Sequence, residues 1–487
     1  MVSIRVRGFL PLLSLRGANP IRSPIALSPR HHDAACVHRR TEQRCRSSIA
    51  PIAAWQASWS EKQLKQALSE AQLTKEGVPI LRLVPHVYDE RCSDWVSTSP
   101  RREETPTRLR ADEVIKVVSW NLKGWPDVGT TARTAAAMSH LCDRFGSSPG
   151  HLAIMLQEVT PPVIQALKNH AWVQKNFIIS HISLPITAAV NRRYCNMMVL
   201  SRTLPVEDIF RVPFNATTFC RDTLVADLRV AARVETTNPQ QQDLLRVCTT
   251  HLSPRSPDPD PVLYRLSQLR QVAEILRGKI HPPDTKEKNQ NVIGGIVAGD
   301  MACKAMSEHE FHKTPEVDLK DVWDDVPSPP APHTRRVSRV TLGRYRGHTF
   351  GYQSNPAYHP YHARHDKFFY TGLVETVPLV NEAEDIVGNF GRLGLGLKTE
   401  AEVWERRAEG EDRKSEKVSV PSYIGHEKVL RASSLGKEHG CTKVKAEIWA
   451  SDHFAITVGV RLARRGMSSE GEQSDKAHTD DAKQDVD

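Results

Sequence analysis

Short apolar runs that end in a polar side chain recur along the chain. The run 292–298 follows the polar stretch 286–291 and is itself followed by Gly299 and Asp300. An apolar run of this length with polar flanks is typical of a core strand. A carboxylate at the end of such a strand is costly to bury unless a metal or a hydrogen-bond partner accompanies it. Asp300 is therefore a candidate functional residue.

Four further runs have the same form, and each is followed by polar residues. These are 114–120 before Asn121, 152–156 before Gln157 and Glu158, 244–250 before His251, and 446–450 before Ser451, Asp452 and His453. If the five predicted strands lie in packed sheets with a common edge, their polar ends converge on one cleft.

Two stretches between the runs have helical periodicity. They are residues 129–145 and residues 262–279, and the second has an apolar stripe formed by Leu263, Leu266, Leu269, Val272 and Leu276. Strands that alternate with helices indicate a layered α/β domain.

Composition along the chain predicts four regions. They are a basic segment at 1–50, a helix (59–75) and charged linker (96–110) within 51–111, a main domain at 112–464 with a charged insertion at about 388–445, and an acidic tail at 466–487. The tail holds seven acids and two lysines, so we expect it to be disordered.

Most of the net charge of +9 comes from the N-terminal segment. Residues 1–50 hold nine Arg and two acids, which leaves a net charge of +2 for the rest of the chain. The segment fits a mitochondrial transit peptide, and equally a disordered basic tail or an over-extended gene model. Because the body is nearly neutral, any phosphate-binding surface has to be a local patch.

Cysteine spacing and hydropathy further narrow the class of protein. The nine cysteines are scattered and none forms a C-x-x-C pair, which argues against a zinc module and a disulfide framework. A reducing compartment, nucleus or mitochondrion, fits this usage. No run of about 18 apolar residues occurs, so we expect no membrane helix.

The residues at the strand ends suit hydrolysis of a phosphate ester. A hard cation such as Mg²⁺ takes a few carboxylate oxygens, keeps several waters and neutralises the phosphate. A second carboxylate can orient or deprotonate a water, and a histidine held by another carboxylate can stabilise the transition state. Asp366, just before the predicted strand 368–370, supplies that last carboxylate.

For single residues an ordinary structural role is the simpler explanation. Asn121 fits a turn asparagine, Glu158 a surface acid and His251 a core histidine. Arg364 and Lys367 fit ordinary solvated cations. Asp300 and the pair Asp452 and His453 are harder to explain in this way, because they follow apolar strands closely.

Taken in order, the motifs resemble the endonuclease/exonuclease/phosphatase superfamily. They are Ser119-Trp120-Asn121, Gln157-Glu158-Val159, Thr250-His251-Leu252, Gly299-Asp300, Arg364-x-Asp366 and Ser451-Asp452-His453. They cover roughly 112–380 and 446–464; no one motif is decisive, but six in order are quite specific. The Trp-Asn opening and the helix 264–269 look most like type 2 tyrosyl-DNA phosphodiesterases.

The resemblance implies a four-layer α/β sandwich with two mixed β-sheets flanked by helices. It also implies a Mg²⁺-dependent phosphodiesterase, with Mn²⁺ able to substitute, that acts on DNA ends including 5′-tyrosyl adducts. We expect a monomer that does not bind membranes.

The resemblance further implies a role for each motif residue. The catalytic set is Asp300 (positioning the attacking water), His453 (on the scissile phosphate), Asp366 (orienting that histidine), His251 and Asn121. The metal ligands are Glu158, Asn121 and Asp452, and the phosphate contacts are Arg364 and Lys367.

One position departs from the superfamily pattern. The usual Asn two residues after the Gly-Asp aspartate, which helps hold the phosphate and the aspartate, is Ala302 here, and the next ten residues contain no Asn. Activity is therefore expected to be reduced or lost. The alternatives are a phosphatase or RNA exonuclease of the same fold, or a catalytically weakened binding module.

Overall fold

The structure is a computed structural model that describes part of the chain. The described residues are 72–73, 79–99, 108–124, 128–184, 194–215, 217, 221–231, 241–254, 261–282, 289–304, 306–324, 326, 347–353, 362–406 and 441–463. The chain divides into a unit of residues 1–47 and a unit of residues 48–487, and all described residues belong to the second unit. The predicted basic segment and acidic tail lie outside the described residues.

The described residues form twenty strands, four α-helices and a 3₁₀ helix. The strands are β1 Gln72–Leu73, β2 Pro79–Arg82, β3 His86–Asp89, β4 Asp94–Ser97, β5 Ile115–Asn121, β6 Leu152–Val159, β7 Phe177–Ile179, β8 Cys195–Ser201, β9 Val206–Pro213, β10 Asp222–Arg229, β11 Gln242–His251, β12 Gln290–Asp300, β13 Lys320–Asp321, β14 Asp366–Gly372, β15 Val374–Val377, β16 Asp385–Val387, β17 Phe390–Leu393, β18 Lys398–Arg406, β19 Cys441–Trp449 and β20 Ala455–Leu462. The helices are α1 Thr130–Phe145, α2 Pro161–Asn169, α3 Ala171–Asn176, α4 Pro261–Leu276 and the 3₁₀ helix Met306–Lys313.

Two large mixed sheets contain most of the strands. The eight-stranded sheet has the order β1-β2-β9-β10-β11-β12-β14-β13, and the ten-stranded sheet has the order β16-β17-β20-β5-β6-β8-β7-β3-β4 with β15 beside β20. Two neighbouring pairs are parallel, β5 with β6 and β11 with β12. Strands β18 and β19 form a separate antiparallel pair.

The central core lies between the two sheets. Val117 of β5 and Met155 of β6 pack in one buried cluster with Val247 of β11 and Ile296 of β12. Successive strand residues point to opposite faces, so the next residue along each strand faces outward. Burial of each of these side chains contributes about 1.5–3 kcal/mol, which makes this inner layer the main source of stability.

Helices cover both outer faces. On the ten-stranded sheet, Met138 and Leu141 of α1 pack against Val118. On the eight-stranded sheet, Leu276 of α4 packs in a cluster with Val297. The result is a helix–sheet–sheet–helix sandwich, which confirms the predicted fold class.

The described helices include none that is long and apolar enough to cross a membrane.

The two predicted helices of the main domain are confirmed, and the sheets also include strands before its predicted start near Asp112. Strands β1 to β4 precede that residue and extend both sheets: β2 pairs with β9 through Leu81 and Arg211, and β3 pairs with β7 through His86 and Ile179. Gln72–Leu73 is a strand, whereas the sequence predicted a helix there. Strands of two to four residues are too short to show a period in the sequence, so tertiary pairing decides their conformation.

The predicted insertion also begins within the fold. Strand β17 pairs with β20 in the ten-stranded sheet, and β18 pairs with β19 over nine residue pairs. The run 446–450 therefore belongs largely to the β18–β19 pair and not to either large sheet. Ala401 and Ile448 of this pair pack on Val128 before α1. Residues 407–440 lie outside the described part of the chain.

Candidate active site

Strand register brings the predicted polar ends together at one edge of the sandwich. Asn121 and Gln157 are paired at the ends of β5 and β6. In the other sheet, Asp300 of β12 is paired with His251 on one side and with Asp366 on the other. Side-chain hydrogen bonds link the sheets at this edge. They include Asn121 Nδ2 to Asp300 Oδ2 at 3.0 Å and Gln157 Nε2 to Thr249 Oγ1 at 2.8 Å.

The Asp300 carboxylate is at the centre of this group. Its Oδ2 accepts a hydrogen bond from Asn121 and lies 3.3 Å from His251 Nε2 and 3.8 Å from His453 Nε2. Its Oδ1 accepts the backbone N–H of Ala302 at 2.8 Å. Burial acts to raise the pKa of Asp300, but the neighbouring histidines and the Ala302 amide outweigh it and hold the pKa well below its usual range. The carboxylate is therefore ionised at neutral pH.

His453 is held by Asp366. The Nδ1 of the ring lies 2.7 Å from Asp366 Oδ2. Burial acts to lower the pKa of His453, but Asp366, Asp300 and Asp452 outweigh it and raise the pKa to about 10. At neutral pH the ring is thus an imidazolium, with Nδ1–H on Asp366 and Nε2–H directed into the site.

His251 has the opposite electrostatic character. Burial, together with the nearby Arg221, lowers its pKa well below 6.5, so the ring is neutral at neutral pH. Its Nδ1 is buried and has no hydrogen-bond partner among the described residues. Tyr194 stacks on the ring with centroids 6.4 Å apart. His251 can therefore interact with a bound group without adding a charge.

Glu158 lies beside Asn121 in an uncommon backbone conformation. Its Oε1 is 3.4 Å from Asn121 Nδ2, and its φ of 55° falls in the left-handed region that few non-glycine residues adopt. A Cβ on Gly124 would lie 1.9 Å from the Glu158 carbonyl oxygen, so only glycine allows the two segments to approach this closely. Such local strain is concentrated at functional sites.

Asp452 contributes a buried carboxylate with spare bonding capacity. Its Oδ2 lies 3.4 Å from Lys123 Nζ, whereas its buried Oδ1 has no hydrogen-bond partner among the described residues. Burial acts to raise the pKa of Asp452, but Lys123 and His453 lower it below the usual value. An ionised, buried oxygen of this kind is costly unless a cation completes it.

Arg133 of α1 fixes the segments that carry these groups. Its buried guanidinium donates to the backbone oxygens of Leu122 and Lys123 after β5, at 2.8 and 2.9 Å. It also donates to Val128 at 2.8 Å and to Ala450, which follows β19, at 3.3 Å. One side chain thereby joins the end of β5 to the segment that carries Asp452.

We define the polar cluster as the residues gathered at this edge: Asn121, Lys123, Glu158, His251, Asp300, Asp366, Asp452 and His453. It contains two more carboxylates than cations. Among the described residues, no group of three or more His, Cys, Asp or Glu side chains is arranged to hold a metal ion.

Arg364 and Lys367 are not in the polar cluster, contrary to expectation. Arg364 Nη1 donates to the buried Asp321 Oδ2 at 2.6 Å. Lys367 follows Asp366 in β14, so its side chain leaves the opposite face of the strand, and its Nζ lies 5.6 Å from the Phe369 ring. Arg364 is thus engaged by Asp321, and strand alternation turns Lys367 away from Asp366, so phosphate contacts by these two cations stay predictions.

Sequence reasoning gave no role to several residues that shape the site. They are Lys123, Arg133, His365 and Ser451, whose hydroxyl donates to the Asn121 backbone oxygen at 2.6 Å. Three of them lie within two residues of a predicted site residue, and that proximity was the available signal. Arg133 had no such signal, because its role depends on carbonyl groups from distant segments.

Comparison with known proteins gives structural likeness only. No family model matches the chain, and no curated protein sequence matches it. Solved structures that are similar include D. rerio TDP2 with a single-strand DNA product (16% identity, TM-score 0.41, 72% of this chain and 100% of that chain). Human Nocturnin catalytic domain with bound sulfate (12%, 0.37, 73% and 96%) and an endonuclease/exonuclease/phosphatase family protein from Bacteroides thetaiotaomicron (10%, 0.38, 72% and 98%) are also similar. The likeness assigns no role to any residue of this chain.

Proposed function

We propose that the chain is a metal-dependent phosphodiesterase that hydrolyses phosphoester bonds at DNA ends, with 5′-tyrosyl-DNA as a candidate substrate. One observation carries the proposal. The ionised Asp300 is hydrogen-bonded to Asn121 and faces His453, which Asp366 holds as an imidazolium. An anionic base beside a fixed cationic donor suits attack of water on a phosphate ester.

The donor atoms fit a hard divalent cation. Glu158 and Asp452 would hold it through carboxylate oxygens, and Asn121 would orient Glu158, to which its amide is directed. The Asp452 Oδ1, which lies 3.9 Å from His453 Nε2 and has no hydrogen-bond partner among the described residues, supports this assignment. Mg²⁺ is commonly bound by only one or two carboxylates together with waters and substrate phosphate, and Mn²⁺ accepts the same oxygen ligands. When bound, the ion would neutralise the phosphate charge.

Three protein side chains would act on the attacking water and the phosphate. Asp300 orients the attacking water, because its low pKa keeps it anionic and the Asn121 and Ala302 hydrogen bonds fix its rotation. His453 donates from Nε2 to a phosphate oxygen as charge develops. The neutral His251 adds a second contact without repelling the cation.

The choice of DNA ends depends on the motif resemblance. It is supported by Trp120-Asn121 at the end of β5 and by α4 after His251. A binding module with weakened catalysis is the second candidate, and one observation favours it: Ala302 brings only a methyl group to the loop after Asp300.

A substrate panel tests the proposal. The purified chain is assayed with Mg²⁺ on 5′-tyrosyl single-strand DNA, abasic-site DNA, RNA and inositol phosphates. We expect turnover that EDTA abolishes, fastest on the tyrosyl-DNA substrate. Preference for RNA or inositol phosphate would replace the substrate assignment, and no metal-dependent turnover on any substrate would favour the binding module.

A further inference from the structure

His365 is a buried histidine that the proposed chemistry does not use. Its ring centroid lies 6.1 Å from that of His453, and the Phe350 ring lies 4.9 Å from both histidines. Burial, together with the nearby His453, lowers the pKa of His365 to about 4, since the opposing effect of Asp300 does not restore it. The ring is therefore neutral at neutral pH.

His365 has two contacts with the loop that follows Asp300. Its backbone oxygen accepts the N–H of Met301 at 2.8 Å, and its side chain hydrogen-bonds the backbone of Cys303. These contacts flank Ala302, whose φ of 49° is in the left-handed region. His365 thus holds both sides of the residue whose amide is bonded to the Asp300 carboxylate.

At its centre, this loop has no polar side chain that could hold the turn around Ala302 in place. Ala302 offers only its backbone amide, and that amide fixes Asp300 only if the left-handed turn is maintained. A second tie comes from Glu308, which accepts the Lys304 N–H at the far end of the loop. His365 is the tie nearest to Asp300.

We propose that His365 is a positioning residue, which holds the 301–303 turn so that the Ala302 amide keeps the Asp300 carboxylate aligned for catalysis. This inference rests on the proposed function where it concerns rate. A displacement of about 1 Å in a catalytic group costs about 100-fold in rate, so the loss of such a tie is measurable.

Two variants test the role by kinetics. His365→Phe keeps an aromatic ring against Phe350 but removes the hydrogen bond, and His365→Gln keeps a donor near the position of Nε2. We expect the Phe variant to lose about 100-fold in kcat with KM changed by less than about threefold. The Gln variant should recover most of that loss.

His312→Phe is the matched control. This histidine is also buried and also packs against a phenylalanine, with its ring 5.3 Å from that of Phe369, but it pairs with Asp324 outside the polar cluster. We expect a lower Tm with unchanged kcat. The inference is overturned if the ratio of kcat loss to Tm loss is the same in the His365→Phe and His312→Phe variants. It is also overturned if His365→Phe is as fast as the native chain.

Crystal structures of the native chain and the two His365 variants make the test independent of turnover. We expect Asp300 and the 301–303 turn to move in the Phe variant and to superpose on the native positions in the Gln variant. An unmoved turn in the Phe variant overturns the inference. If the native chain is inactive on every substrate, the proposed function fails while this structural outcome still decides the role of His365.

Discussion

At the residue scale, three non-glycine residues of the site have left-handed backbone conformations. Lys123, Glu158 and Ala302 have φ values of 48°, 55° and 49°. Each such conformation costs of order 1–3 kcal/mol and persists only where the surrounding structure imposes it. In this chain it aims the Glu158 side chain beside Asn121 and directs the Ala302 amide at Asp300.

The Ala302→Asn variant tests the one departure from the superfamily motif. Asn tolerates the left-handed conformation better than most residues, so the change should not strain the turn. Its amide can add a hydrogen bond to a charged phosphate, worth about 1.5–3 kcal/mol, which corresponds to roughly 10- to 100-fold in rate. We expect faster phosphodiester hydrolysis with little change in Tm. A slower variant would mean that another group already makes the contact.

Glu158→Gln tests the proposed metal ligand. Removing one carboxylate charge should reduce Mg²⁺-dependent turnover by about 100-fold or more, because a bound metal contributes several kcal/mol to transition-state stabilisation. Turnover is measured across a Mg²⁺ titration, with the exposed Glu316→Gln as a control of equal charge change. Native rates at saturating Mg²⁺ in the Glu158 variant would remove this residue from the metal site.

The His453–Asp366 pair predicts a pH-dependent stability. The folded-state pKa of His453, about 10, is above its unfolded value, so the pair contributes fully below about pH 6.5 and loses its contribution as the pH rises through 10. In EDTA, the difference in Tm between the native chain and Asp366→Asn should be largest near pH 6 and shrink toward pH 10. A difference that is constant or grows with pH would contradict the imidazolium assignment.

At the element scale, α1 connects the end of β5, which carries Asn121, to the segment that carries Asp452. Its first turns hold Arg133, which bonds carbonyl groups after β5 and after β19. Its last turn holds Arg144, which bonds carbonyl groups at 381–383, away from the polar cluster. Arg133 and Arg144 of α1 thus bond carbonyl groups in the same way, but only Arg133 does so beside the polar cluster.

Methionine variants of the two arginines separate stability from catalysis. Arg133→Met and Arg144→Met both leave carbonyl groups without donors, and Arg133→Met should cost at least about 2 kcal/mol because its carbonyl partners are buried. We expect both variants to lower Tm, but only Arg133→Met to lower kcat beyond the effect of its lost stability. The reason is that Arg133→Met releases the segment that carries Asp452. Urea unfolding and kinetics on the same samples check this. Equal kinetic effects of both variants would argue against a positioning role for Arg133.

At the scale of the whole molecule, the site requires both sheets, and both sheets include strands that precede residue 112. Ile80, Val87 and Trp95 of β2 to β4 are buried. Their burial is worth roughly 5 kcal/mol in total, which is comparable to the net stability of a typical domain.

Two fragments test this boundary. A fragment of residues 70–465 should unfold cooperatively at the native Tm, whereas a fragment of residues 112–465 should be largely unfolded or aggregate, because removal of β2 and β3 exposes the edges of β9 and β7. Circular dichroism and size-exclusion chromatography distinguish them. A stable, monomeric 112–465 fragment would show that the early strands are dispensable.

The sequence by itself determined the features that depend on neighbouring residues. Apolar runs with polar ends located β5, β6, β11 and β12, and helical periodicity located α1 and α4, because these signals lie in consecutive side chains. The resemblance in motif order then predicted the four-layer sandwich that the sheets confirm. The roles of the individual site residues remain predictions.

Tertiary structure alone decided which of these residues meet. Asp300 contacts Asn121 and His251 from distant segments, and three carboxylates from different segments together set the pKa of His453. Strand alternation turned Lys367 away from the cluster although it adjoins Asp366. Distances between segments and the burial that shifts a pKa arise only when the sheets pack, so no local pattern in the chain encodes them.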